Sequence, residues 1–300
     1  MKVQIQMDGI YAMPTERLRE KLWRQLLVKY GTVKNVAKQF NLSQRQLYKW
    51  KEAKNNYPLK VLNNICNDVG LELESGIQLI KTEKASDEIR NPKMRISING
   101  DLMEFFGHLL FDGGIDARWR VHYTTHSQKL AERFQYLTRE VFGDVKFYVK
   151  QSKRKTAIFT TATLGRILEG TFGCKRGSKV MNNVGVPEIL KRQGRGDEDI
   201  VSLWRFVSAA YVCDGVSDRV AIISCSANPN KTPMLLEDLR TLLEKTGIRT
   251  VKIKPSSLYE TKSGTHRRWA LRVQDKEERK LFLSKVELPF GLNIHRRVQE

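Results

Sequence analysis

Two stretches of this chain end in the same way. Phe105-Phe106-Gly107-His108-Leu109-Leu110-Phe111 runs into Asp112-Gly113, and Val207-Ser208-Ala209-Ala210-Tyr211-Val212-Cys213 runs into Asp214-Gly215. Both runs are apolar and helical in character, so each aspartate falls in the last turn of a helix, against the negative end of the dipole. A carboxylate there costs about 0.3–1 kcal/mol at an exposed site unless a positive charge compensates it. The same arrangement made twice points to a cation shared by Asp112 and Asp214.

Other chemistries are weaker. Cys66, Cys174, Cys213 and Cys225 are scattered without the C-x-x-C spacing of zinc or redox sites, and those inside apolar elements read as small core residues. His122 and His126 are four apart, but Tyr-Thr-Thr between them favours a strand end, which makes them solvated or DNA-facing.

The charge balance narrows the partner. Lys and Arg number 53 against 33 Asp and Glu, a formal net charge of +20 with a pI near 9.8, which is the footprint of a polyanion binder and of nucleic acid first. A membrane partner is not expected: there is no long uncharged apolar run, no signal-peptide pattern and no lipidation motif. The expected location is therefore intracellular, in the cytoplasm.

The elements that must position these residues emerge from periodicity. Leu18, Leu22, Leu26 and Tyr30 recur at helical spacing between Pro14-Thr15 and Gly31. The stretch from Thr32 to Lys51 resembles a helix-turn-helix: Val36, Phe40, Leu47 and Trp50 supply a shared apolar core, Ala37 is small at the crossing, and Asn41 can take the left-handed turn. Ser43 would cap a recognition helix whose first turn carries Gln44, Arg45 and Gln46 towards base edges, with Lys49 and Lys51 nearer phosphates. Leu59, Leu62, Ile65, Cys66 and Val69 close a small all-α domain over residues 1–80, and the polar stretch 81–97 reads as a linker.

Residues 98–195 and 196–300 read as an internal duplication. After Asp112-Gly113 come an alternating stretch from Arg118 to Tyr123, a helix with Leu130, Phe134, Leu137 and Phe142, a strand through Val145, Phe147 and Val149, a basic turn at Lys153 to Lys155, a strand near Ala157 to Thr160 and a helix near Leu164 to Leu168. After Asp214-Gly215 the order repeats: a strand from Val220, a helix with Leu235 to Leu243, a strand Val251 to Lys254, a basic turn from Lys262 to Arg268, a strand Trp269 to Val273 and a helix near Leu281 to Val286.

On these paired ends and this repeated order, residues 98 to 300 resemble the LAGLIDADG homing endonucleases in their single-chain form. The motif is matched loosely, with Gly107 and Ala209 at its third position and the bulky Phe111 where a small residue is usual. The resemblance implies an α+β fold of two αββαββα repeats, its motif helices packed at a pseudo-twofold axis and its sheets forming a saddle over double-stranded DNA. Small residues at a close helix crossing, Gly107, Ala209 and Ala210, agree with that. Hard carboxylates suit Mg²⁺, which keeps waters and takes one or two carboxylates plus phosphate oxygens, and such a site hydrolyses phosphodiesters.

The resemblance also implies a basic residue past the third helix of each repeat. Lys179 is the first candidate in the first repeat and Lys175 the second, while His295 or Arg296 would have to serve in the second repeat. Arg118, Arg120, Lys150, Lys153, Lys155, Lys252, Lys254 and Arg267 are the expected DNA contacts on the saddle. The segments after both Asp-Gly ends are short, which throws target recognition onto the N-terminal helices.

The expected activity is metal-dependent, site-specific cleavage of DNA by a monomer with internal pseudo-twofold symmetry. The rival is a transcription regulator that keeps a LAGLIDADG fold as a DNA-binding platform; related bacterial regulators join such a domain to a helix-turn-helix. Paired carboxylates facing phosphates argue against a mere platform. An RNA partner is disfavoured because a helix-turn-helix suits the B-DNA major groove, which A-form RNA lacks.

Overall fold

The computed structural model describes residues 1–74, 76–83, 88–193, 196–217, 220–261 and 264–286. The chain opens with β1 (Lys2–Gln4) and β2 (Ile10–Pro14), followed by α1 (Glu16–Tyr30), α2 (Val33–Gln39) and α3 (Gln44–Lys51). Each helix starts where a hydroxyl accepts the N–H three residues on: Thr15 from Leu18, Thr32 from Asn35 and Ser43 from Gln46. Asn41 takes a left-handed φ of 52° between α2 and α3, as its short polar side chain permits. Val36, Leu47 and Trp50 are buried between the helices, with Phe40 half-buried beside them and Trp50 stacked on Tyr57 at 4.6 Å between ring centroids.

The N-terminal segment is not all-α. β3 (Tyr57–Pro58), α4 (Leu59–Asp68), β4 (Ile77–Thr82), β5 (Ile89–Arg90) and β6 (Arg95–Ser97) come next, and β2 pairs with both β3 and β4. Nor is the stretch 81–97 a free linker, because it supplies β5, which pairs with β4, and β6, which pairs with β1. Strands this short carry no periodic signal of their own, and partners remote in the chain hold them in place.

The next part runs α5 (Gly100–Phe111), β7 (Gly113–Ile115), β8 (Val121–Thr125), α6 (Gln128–Phe142), β9 (Asp144–Val145), β10 (Tyr148–Gln151), β11 (Thr156–Phe159), α7 (Ala162–Phe172) and the short α8 (Lys179–Asn182) and α9 (Glu188–Lys191). The last part runs α10 (Asp197–Asp214), β12 (Gly215–Ser217), β13 (Val220–Ala227), α11 (Met234–Lys245), β14 (Val251–Thr261), β15 (Gly264–Val273) and α12 (Lys276–Lys285). Their sheets have the same strand order, β7-β8-β11-β10 and β12-β13-β15-β14, and every strand pair among the described residues is antiparallel.

Two local expectations change. The strand expected from Arg118 begins only at Val121, because Asp116 Oδ1 accepts the N–H groups of Arg118 and Arg120 and Trp119 takes a φ of 61°, turning the chain. The strand expected through Val145 and Val149 is split, since β9 pairs with β5 while β10 pairs with β11. No described helix is long and apolar enough to cross a membrane.

α5 and α10 pack side by side. A Cβ added at Gly107 would lie 2.5 Å from Ala209 Cβ and 2.8 Å from Phe206 O, so only glycine lets the backbones come this close. Phe105 and Phe106 of α5 pack into a ring of aromatics, Phe105 against Phe134 at 5.4 Å and Phe106 against Phe172 at 5.1 Å between centroids. One buried acid also joins the helices. Glu104 of α5 accepts two hydrogen bonds from Arg133 of α6, at 2.7 and 2.8 Å, and two from Arg205 of α10, at 2.5 and 3.0 Å. Arg205 also donates to Asp101 at 2.7 Å, and His108 Nε2 lies 3.9 Å from Glu104.

Candidate active site at the paired helix ends

Asp112 and Asp214 terminate the two helices that touch. Asp112 donates its N–H to His108 O at 3.1 Å, and its carbonyl accepts the Thr124 N–H at 3.1 Å, which ties the helix end to β8. Asp214 is the last residue of α10, and both aspartates are half-buried. An Asp-Gly pair often serves only a left-handed turn. Here neither glycine has a positive φ; Gly215 has φ −70°. Glycine is needed for space instead: a Cβ at position 113 would lie 2.7 Å from His122 O, and one at 215 would lie 2.2 Å from Tyr211 O. The chain thus passes straight from helix into strand, and the aspartate sits at that corner.

Lys179, the first residue of α8, reaches the same corner. Its Nζ donates to the carbonyls of Leu110 at 3.0 Å and Phe111 at 2.5 Å, so an ammonium meets the last-turn carbonyls of α5, where the dipole favours a cation. Burial lowers its pKa, and the charges of Asp214 and Asp112 oppose that shift. Lys179 thus stands at the end of the helix that Asp112 closes and lines one cavity with Asp214. Lys175 is not part of the group: it is exposed and donates to Asn182 O at 3.1 Å. His295 and Arg296 lie outside the described residues, as does Lys262.

Further groups missing from the sequence reading surround the corner. A cavity of about 570 Å³ is lined by Asp214 and Lys179 together with Asn183, Ser224, Tyr259 and Arg268. His122 approaches from β8: burial first, and then the charge of Lys179, push its pKa down, which favours the neutral imidazole. Burial pushes the Cys225 thiol beside the cavity up to about 12, so it is neither a thiolate nucleophile nor a thiolate ligand. Among the described residues no group of three or more His, Cys, Asp and Glu is arranged to hold a metal. A cation between Asp112 and Asp214 would draw its other ligands from water and phosphate, which suits a hard divalent ion.

No protein-family model matches the chain, and no curated protein does. Solved structures resemble it loosely. The homing endonuclease I-DmoI, in a set of mesophilic variants, aligns at 18% identity with a TM-score of 0.42, over 63% of this chain and 96% of that one. I-DmoI in complex with DNA and Ca aligns at the same identity and TM-score over 63% of this chain and 90% of that one. The N-terminal LAGLIDADG domain of DUF199/WhiA aligns at 15% identity with a TM-score of 0.36, over 68% of this chain and 88% of that one.

The expected DNA contacts fall on identifiable faces. Register and alternating burial put His122, Thr124, Ala157, Phe159 and Lys150 on the outer face of the first sheet, with Lys150 over the Phe159 ring at 5.6 Å. Lys153 and Lys155 are exposed in the β10–β11 turn, and Arg118 is exposed in the β7–β8 turn. Arg120 is exposed too, but it is paired with Asp116 at 2.8 Å. In the second sheet Lys252 and Lys254 share the outer face with Arg268 and Arg272. Arg267 points to the opposite face, its Nε buried without a hydrogen-bond partner. On α3, Gln44 and Arg45 are exposed and Gln46 and Lys49 half-buried.

Proposed function

We propose that this chain is a site-specific endonuclease of double-stranded DNA, with Mg²⁺ held between Asp112 and Asp214 in a duplicated LAGLIDADG-type saddle and with α2 and α3 acting as a DNA-reading helix-turn-helix. The observation that carries it is the convergence of Asp112, Asp214 and Lys179 at one corner. Two sheets of identical strand order, each with exposed cations on its outer face, flank that corner. When bound, a divalent cation supplies positive charge to the attacking water and to the leaving oxygen of a phosphodiester. The protein's own residues would orient that chemistry: the two carboxylates would hold the ion, and the Lys179 ammonium, fixed by the Leu110 and Phe111 carbonyls, would supply positive charge towards phosphate. The molecule acts as a monomer, its internal pseudo-twofold axis running between α5 and α10.

The test is incubation of the full chain with a plasmid library and Mg²⁺ or Mn²⁺, and then mapping of new ends. Discrete, metal-dependent ends support the endonuclease. Binding without any ends favours a transcription regulator, a reading that rests on Lys179 donating to two main-chain carbonyls.

Two binding predictions accompany it. Affinity for duplex DNA is expected to fall with salt along a log–log slope of about −0.9 per phosphate contact, and a flat titration would remove nucleic acid as the partner. Arg45→Ala, in the first turn of α3, is expected to cost about 1–3 kcal/mol at the preferred site and to relax base choice there. An equal loss on every sequence would mean that Arg45 meets only the backbone.

A further inference from the structure

The paired acids are near-equivalent, but the cations around them are not. Lys179 comes from α8 of the first repeat, yet it lines a cavity whose wall is the second sheet: Ser224 and Ser226 of β13, Tyr259 of β14 and Arg268 of β15. Lys179 and Arg268 are the cations among the lining residues. Arg268 pairs in register with Ser226, and its Nε donates to the buried Ser224 Oγ at 3.2 Å. That bond fixes one edge of the guanidinium and leaves the other nitrogens for a ligand. Arg268 is exposed and forms no ion pair with a carboxylate among the described residues. Beside it, Tyr259 OH donates to Ser226 Oγ and closes the cavity wall.

The first sheet has no such group among the described residues. Gly215 pairs with Ile223, which pairs with Leu271, and Arg268 lies three residues before Leu271. Correspondingly, Gly113 pairs with Tyr123, which pairs with Ile158, and the residue three before Ile158 is Lys155. Lys155 sits in a tight turn with Ser152, exposed, and is not part of the cavity. In the second sheet β14 and β15 continue past this level, so Arg268 stands within a strand, and it lines the same cavity as Asp214.

We propose that the Arg268 guanidinium grips the DNA phosphate lying beside Asp214, and that it serves one strand only. With Nε engaged by Ser224, the two Nη groups still present a planar pair of donors that matches a phosphate in a bidentate manner, which an ammonium cannot reproduce. This rests on the endonuclease reading for its strand consequence and on charge and position alone for the contact.

The experiment uses the full chain, with Arg268→Met and Arg268→Lys checked for unchanged melting. In metal-free buffer, binding to a random-sequence duplex is titrated with salt. Arg268→Met is expected to lower the slope by about 0.9, the value of one phosphate contact, and Arg268→Lys to keep it. With Mg²⁺ and a duplex that the wild type cuts, labelled on each strand in turn, Arg268→Met is expected to slow one strand at least tenfold and so accumulate a nicked product. An unchanged slope in Arg268→Met, or equal slowing of both strands, overturns the proposal. A wild type that never cuts removes the endonuclease reading and the strand assignment with it, and the salt slope still decides the contact.

Discussion

Asp112→Asn and Asp214→Asn, made separately, are each expected to abolish Mg²⁺-dependent cleavage of DNA without unfolding the chain. Asparagine keeps the shape of the half-buried side chain and removes the charge that a hard divalent ion needs. Stability should hold or rise slightly, because a negative charge at a helix C-terminus opposes the dipole by about 0.3–1 kcal/mol. Metal-free affinity for DNA should stay equal or increase, since one repulsion of phosphate has gone. The change also reaches Lys179, whose pKa burial lowers and the two aspartates support. Without either aspartate it falls further. Cleavage assays with both divalent ions, paired with melting curves, check this. Ends that persist in either variant at the wild-type rate would sink the two-acid site.

The second large effect is on stability. Glu104→Ala is expected to cost about 3 kcal/mol, because it removes the buried carboxylate that two half-buried arginines share between three helices, leaving Arg133 without its hydrogen-bonded acid and Arg205 with Asp101 alone. Burial works to raise the Glu104 pKa, but the hydrogen bonds from Arg133 and Arg205 outweigh it and hold the carboxyl well below the usual carboxylate range. A depressed folded-state pKa contributes stability that is complete above the unfolded value of about 4.3 and is lost as pH falls towards the folded value. Wild type should therefore lose stability in acid more steeply than the variant, and the gap between them should narrow below about pH 4. Denaturant titrations of both proteins at neutral and acid pH measure this. A gap independent of pH would assign the loss to the cavity left by the side chain.

Parts of this architecture were legible because their signals are local. Ser43 announces the start of α3, Asn41 the left-handed turn before it, and Gly107 with Ala209 the close helix crossing. Asp112 and Asp214 were singled out by the doubled helix ends, and Lys179 by the family resemblance, and the role of all three is the proposal that the cleavage assays address. The features that stayed hidden depend on pairings remote in sequence. Arg267 and Arg268 are neighbours in one basic run, and only the register of β15 against β13 decides that Arg268 faces the cavity while Arg267 faces away. β5 and β6 are too short to show a period, so the stretch 81–97 read as a linker. Trp119 takes its φ of 61° beside Gly165, where a Cβ would strike Trp119 O, a fit between distant segments that no reading of either could supply.

The strand pairs that cross from the N-terminal segment have a practical consequence for anyone wishing to exchange α2 and α3. β1 is laced to β6, β5 to β9, Gln6 N–H to Thr171 Oγ1 and Thr82 N–H to Thr163 Oγ1. Helices α2 and α3 are therefore not part of a detachable cartridge. Cutting the chain at the polar stretch would strip β6 and β9 of their neighbours and leave raw edges that invite aggregation. A working chimera would have to exchange α2 and α3 as an insert between Gly31 and Tyr57, leaving the surrounding weave of strands untouched.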